Sequence, residues 1–145
     1  MARKNTNELY SLEAEQALLG AMLIDYNEAD QIISELAADS FYHDTHRAIY
    51  RGIKTLRAEG IPLDLVTITE HFRTAGTLEQ IGGATYISTL ANSVPTAANA
   101  RHYMQIIQEK AARREIVKAA ALIREQAEAG DMAKALATIE KARAE

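Results

Sequence analysis

The stretch Ser11-Leu-Glu-Ala-Glu-Gln-Ala-Leu-Leu-Gly-Ala-Met-Leu23 sets the fold class. Ser11 is a natural N-cap, because its hydroxyl can accept from an N–H that the first helical turn leaves unpaired. Glu13 and Glu15 follow near the positive end of the helix dipole, and Leu12, Leu19 and Leu23 share one face. The same rhythm recurs downstream. A second helix is expected after Asn27, with Glu28 and Asp30 in its first turn and Ile32, Ile33 and Leu36 inward. Asp44 or Thr45 can cap a third, in which His46, Ile49, Tyr50, Ile53 and Leu56 repeat at three and four until Gly60 ends it. Pro62 holds Ile61 to Asp64 extended, and a fourth helix runs from about Leu65 to Ala75, where Gly76 stops it. Thr67 and Glu70 have capping-box spacing, so Thr67 competes with Asp64 as the start. Gly82-Gly83 turns into a short helix holding Tyr86, Ile87 and Leu90, which ends before Pro95. No run of β-branched or aromatic residues alternates with period two between turn signals, so the expected class is all-α.

The tail has a different texture. From about Thr96 a helical pattern runs almost unbroken to Ala129, stops at Gly130-Asp131 and resumes from Met132 to the end. Ile116, Ala120, Ile123 and Ala127 follow a four-three-four spacing, and Met132, Leu136 and Ile139 repeat it, so two stripes can face each other in a helical hairpin. The expected organisation is therefore a flexible N-terminal arm over 1–10, a helical globule over 11–110 and an antiparallel helical hairpin over 111–145. The stripe is narrow and rich in alanine, so a lone hairpin would bury little area and be marginal. Self-association through Ile116, Ile123, Met132, Leu136 and Ile139 is the economical remedy. Folding back onto the first hundred residues is the alternative.

A chain of 145 residues buries roughly 68–70% of its unfolded surface and needs no metal or disulfide to fold. With 48% hydrophobic and 25% charged residues it is neither disordered nor fibrous. It contains no cysteine, which excludes thiol catalysis and cysteine-based metal sites. No apolar run approaches 18 residues, and the start MARKNTNELYS lacks the apolar stretch of a signal peptide, so a cytoplasmic location without membrane contact is expected. The net charge of −4 argues against a nucleic-acid coat, which binds through clustered Lys and Arg. Residues 1–100 carry seven basic and thirteen acidic groups, net −6, whereas 101–145 carry nine and seven, net +2. An acidic partner would therefore dock on the C-terminal third.

Catalytic constellations are scarce. No G-x-x-x-x-G-K-[ST] occurs, none of the seven glycines precedes Lys, and no G-x-G-x-x-G is present, so neither a nucleotide cofactor nor ATP hydrolysis is expected. Gly82-Gly83 before a helix is far more often a turn than an anion site. His43, His46, Asp39 and Asp44 are the one cluster of ligand-like residues, but a metal needs three or more converging groups, and none is expected. No hydrolase elbow or triad order surrounds His71 or His102. Arg47, Arg51 and Lys54 beside Tyr50 leave room for a small single-stranded DNA-binding or adaptor protein, against which the net −6 weighs.

The blocks Ser11 to Leu23, Phe41-Tyr42 with His46 and Ile49, Pro62-Leu-Asp-Leu-Val-Thr67, Gly82-Gly-Ala-Thr-Tyr-Ile87 and Pro95-Thr-Ala-Ala-Asn99 resemble, in order and nearly without gaps, the N-terminal domain of the bacterial replicative DNA helicases of the DnaB family. The resemblance covers about residues 9–110, and the hairpin fits the same layout with weaker specificity. The family's linker helix and ATPase domain, with its Walker motifs, have no counterpart in these residues. The resemblance implies a collar rather than a motor, although the full-length helicases it points to unwind DNA 5′ to 3′ with ATP. In such a collar, hairpins pair into homodimers and three dimers close a hexameric ring. The primase C-terminal domain docks there, and a helicase loader is a further partner the family allows. Combined with the charge shift along the chain, this places the partner contact on the exposed side of the hairpin at Arg113, Arg114 and Lys118.

Overall fold

The computed structural model describes residues 9–144, and among them the chain forms seven α-helices, two short 3-10 turns and no strand. Of the N-terminal arm, residues 1–8 lie outside the described residues, while Tyr10 is already stacked on Tyr42, ring centroids 4.3 Å apart. Helix α1 spans Leu12–Ile24, and the Ser11 hydroxyl accepts from the Ala14 N–H at 3.1 Å. It is not the one-sided helix its leucines suggest. Leu18, Leu19, Gly20, Ala21, Met22 and Leu23 are all buried, whereas Leu12 is exposed, because four helices, those over residues 26–35, 44–58, 83–91 and 100–128, pack against α1. A Cβ on Gly20 would run into the Leu90 carbonyl oxygen, so the close approach of the Gly83–Ala91 helix requires glycine there.

Helix α2 spans Tyr26–Glu35 and starts before Asn27, because the Asp25 carboxylate accepts from the N–H groups of Asn27 (3.0 Å) and Glu28 (3.4 Å). Ile32 and Leu36 are buried. A 3-10 turn over Ala38–Ser40 leads to α3, Asp44–Ala58, whose cap position is His43 with no side-chain cap bond, in place of the expected Asp44 or Thr45. Along α3, Ile49, Tyr50 and Ile53 are fully buried. The Tyr50 hydroxyl donates to the Leu36 carbonyl at 2.7 Å, and burial pushes its pKa up to about 12. Helix α4, Leu65–Ala75, is capped by Asp64. Thr67 is its third residue and reaches back to the Asp64 N–H, so the capping box is Asp64/Thr67 and not Thr67/Glu70. Gly76, at φ 76°, takes the left-handed conformation that ends α4. After a 3-10 turn over Glu79–Ile81, α5 covers Gly83–Ala91.

Helix α6, Ala100–Glu128, starts later than Thr96 and contributes Ala100, Met104 and Ile107 to the core before leaving the globule. Polar contacts about two turns apart hold its first half against α2, the 3-10 turn and the segment before α1. Arg101 makes a two-pronged contact with Glu35 (3.0 and 2.8 Å), Gln108 donates to the Glu35 carbonyl at 3.2 Å, and Arg114 donates to the Leu9 and Ser40 carbonyls, each at 2.7 Å. Gly130 (φ 84°) turns the chain into α7, Met132–Ala144, whose first turn is capped by Asp131 accepting from the Lys134 N–H at 3.0 Å.

The hairpin does not close on its large side chains. Among its described residues Ala135 alone is buried, and Thr138 donates to the Gln126 side chain at 2.8 Å across the seam. Ile116, Met132, Leu136 and Ile139 remain 60%, 59%, 57% and 41% exposed, so the expectation that the two stripes face each other is overturned. Small side chains win the contact because helices approach more closely over alanine. No helix among the described residues is long and apolar enough to cross a membrane.

Candidate interaction surfaces

Around α7, Met132, Leu136 and Ile139 all fall on one side of the buried Ala135, about 40–100° away. On α6, Ile116, Ala120, Ile123 and Ala127 lie to one side of the line facing α7. Because the helices run antiparallel, the two flanks lie on the same side of the hairpin and form one apolar face. Ile123 is the exception among the five expected seam residues: it is half-buried against α7 rather than fully displayed. Val117 and Leu122, 51% and 43% exposed, were not anticipated and point elsewhere on α6. Among the described residues, neither the globule nor the hairpin itself covers the face.

The basic side of α6 divides. Arg114 and Lys118 each stand two residues from Ile116, about 200° around the helix, so they lie opposite the apolar face. They line a groove of about 770 Å³ between α6 and the 39–47 segment, together with Asp39, Tyr42, Arg47 and Glu115. Arg114 is not the freely solvated charge the sequence suggests. Both of its terminal nitrogens donate to backbone carbonyls, its guanidinium lies over the Tyr42 ring at 5.4 Å, and burial, with Arg47 nearby, holds its pKa below the usual value. It is one of several contacts that hold α6 to the globule, beside buried Met104 and Ile107 and the Arg101–Glu35 pair. Arg113 does not line this groove and pairs with Glu109 at 2.9 Å. Lys118 is exposed and pairs with Glu115 at 3.3 Å. The sequence offers Arg47 for a DNA-binding stripe and Asp39 for a metal cluster, but nothing local in the 39–47 segment says that these residues and Tyr42 will lie beside residue 114.

Among the described residues, no group of three or more His, Cys, Asp or Glu could hold a metal ion. His46 is instead part of a buried polar cluster. Its Nδ1 lies 2.8 Å from Glu15 Oε1 and its Nε2 lies 2.6 Å from the Tyr86 hydroxyl, while Glu15 accepts from the N–H groups of Tyr42 (2.7 Å) and His43 (3.4 Å). Glu15 and His46 are each 1% exposed, so the cluster ties α1, α3 and α5 together within the core. The DNA-binding alternative loses its stacking surface: Tyr50 is fully buried, and Arg51 pairs with Asp39 at 3.0 Å.

Residues 7–109 match the family of DnaB-like helicase N-terminal domains. The chain belongs to that family. It is 39% identical over 113 residues to the replicative DNA helicase DnaC of Bacillus subtilis and, over the same length, 39% identical to the replicative helicase DnaB of Geobacillus stearothermophilus. Each alignment covers 78% of this chain and 25% of the relative, so the chain spans about a quarter of the length of these helicases. The crystal structure of the N-terminal domain of DnaB helicase from Mycobacterium tuberculosis superposes with a TM-score of 0.84 at 36% identity, covering 90% of this chain and 96% of that one. A structure of a DnaB-like replicative helicase, described with its interactions with primase, gives a TM-score of 0.76 at 26% identity over 91% of this chain and 31% of its own. The all-α globule with its hairpin is therefore the architecture of this DnaB domain family.

Proposed function

We propose that this DnaB-type domain is the assembly and docking collar of a cytoplasmic replicative helicase, without motor activity of its own. One observation carries the proposal: a hairpin already closed by Ala135 still displays Ile116, Met132, Leu136 and Ile139 on a single face. Contiguous exposed apolar surface of this kind marks a protein–protein contact. A second copy meeting it across a twofold axis would present the same residues in return, which makes a homodimer through the hairpins the simplest closure, and three such dimers would make a hexameric ring. ATP-driven unwinding would lie with the ATPase part of such helicases, since these residues contain no phosphate-cradling loop.

The basic groove faces away from the apolar face and stays open when hairpins pair. It is the docking site proposed for the C-terminal domain of primase, by analogy with the helicase described with primase, and a helicase loader is a second candidate for the same surface. Sedimentation of the purified chain at several concentrations tests the assembly role. A concentration-dependent dimer that Leu136→Glu abolishes without unfolding is the expected result. A wild-type chain that stays monomeric, or a variant that dimerises unchanged, refutes it.

A further inference from the structure

The groove between α6 and the 39–47 segment carries more than a basic stripe. Arg47, Arg114 and Lys118 converge on it from two separate elements, on a globule whose first hundred residues are net −6. Arg47 is anchored by donating from Nε to the Phe41 carbonyl at 2.7 Å and from one terminal nitrogen to Asp44 at 3.1 Å, and among the described residues its other terminal nitrogen has no partner and can meet a ligand. The two carboxylates of the groove are already engaged, Asp39 with Arg51 at 3.0 Å and Glu115 with Lys118 at 3.3 Å. The α6 wall between these charges is Ala111 and Ala112, which gives a partner backbone room to approach. Tyr42 stands at the edge, its ring stacked with Tyr10 at 4.3 Å and lying 5.4 Å from the Arg114 guanidinium, and it remains 43% exposed to a partner.

We propose that this groove seats an acidic amphipathic helix of the docked partner, held by carboxylates on Arg47 and Lys118, with Tyr42 and the Ala111/Ala112 wall receiving its apolar side. The proposal rests on the docking role argued above and moves it. Arg113 drops out of the contact, Arg114 becomes the floor that positions the groove, and Arg47 and Tyr42 enter. A protein helix fits better than nucleic acid, because the groove's one aromatic ring, Tyr42, is already stacked by Tyr10 and approached by the Arg114 guanidinium, and so is a poor platform for a base. Charge complementarity of this exposed kind acts through on-rate and salt dependence.

The test is a titration of the primase C-terminal domain against the full chain at low and moderate salt, with an oligothymidylate as second probe and circular dichroism to confirm that each variant is folded. Lys118→Glu and Arg47→Gln should each weaken primase-domain binding, and Glu115→Gln and Asp39→Asn should each tighten it, by roughly twofold to fivefold, while Arg113→Glu leaves it unchanged. The tightening variants matter most, since damage to the fold does not raise affinity. Should the wild type bind and all four groove variants match it, or should Arg113→Glu be the one that weakens binding, the groove proposal falls while the docking role stands. If the primase domain fails to bind the wild type, both fall. Oligothymidylate that binds with the same pattern of variant effects would overturn the protein helix in favour of nucleic acid.

Discussion

The globule and the hairpin use the same residue types to opposite ends. In the globule, most large apolar side chains are driven inward, and Leu18, Ile32, Phe41 and Tyr50 have no exposed surface, although Tyr26 and Val66 stay outside. In the hairpin, the largest apolar side chains are left outside, and alanine and threonine take the seam. The globule is thus complete as a fold, since burying apolar surface is its main source of stability. The hairpin gains little from its own pairing and retains apolar area that only another molecule can remove from water. A long helix shared between them, with polar contacts at Arg101, Gln108 and Arg114, fixes where that unfinished face is presented.

The largest expected effect tests the globule's side of this contrast. Phe41→Ala empties a fully buried site between Tyr50 and His46, and should lower unfolding free energy by about 3–5 kcal/mol in a urea titration, transfer and cavity costs combined. Glu15→Ala comes next, at about 2–4 kcal/mol, because it strands His46 Nδ1 and the N–H groups of Tyr42 and His43 in the core. A loss below about 1 kcal/mol would mean that water enters the cluster when the carboxylate is removed.

The hairpin should respond the other way round. Leu136→Ala is expected to leave the stability of the monomer within about 0.5 kcal/mol of wild type, as for other surface substitutions, while weakening association by about 1–2 kcal/mol in sedimentation equilibrium. A variant that lowers the denaturation midpoint at concentrations where the chain is monomeric would place Leu136 in an intramolecular contact and erase the contrast between the two regions.

Most of the secondary structure was legible because its signals are local. Ser11, Asp64, Gly76 and Gly130 act through bonds to residues within a turn of themselves, and a reader of the sequence meets both partners together. Asp25 shows the limit of this: it caps α2 through its side chain, but a following Asn27 is an equally good cap on paper, and the start shifts accordingly. What was not legible depends on distant residues. Glu15 looks like a dipole-favoured surface acid until the 42–46 segment brings three hydrogen-bond partners to it. Arg114 looks solvated until Leu9 and Ser40 present their carbonyls. Periodicity identified the hairpin's apolar stripe, yet it could not say whether bulk or closeness governs the contact, and Ala135 decides for closeness.

The smallest effect concerns how the surface holds α2 to α3. Arg57 grips Asp30 with two bonds of 2.8 Å while lying over the Tyr26 ring at 5.0 Å. The hydrogen bond from Arg57 holds the Asp30 carboxyl below its usual pKa of 3.8, against a weaker opposing push from burial. A carboxyl whose pKa is depressed in the folded state stabilises the fold above its unfolded pKa, and that contribution is lost as the pH falls through the folded value. Asp30 is about half exposed, at 51%, so solvent screens the pair and its worth at neutral pH stays below about 1 kcal/mol. Asp30→Asn should therefore sit slightly below wild type in urea midpoint at pH 7, and the gap should close on acidification below about pH 4, where wild type loses the same charge. The globule's other acid-sensitive groups are common to both proteins and cancel in the difference. A gap that persists undiminished at low pH would show that Asp30 acts by shape or helix propensity rather than by charge, leaving the Arg57 contact with Tyr26 as what joins α2 to α3 at this edge.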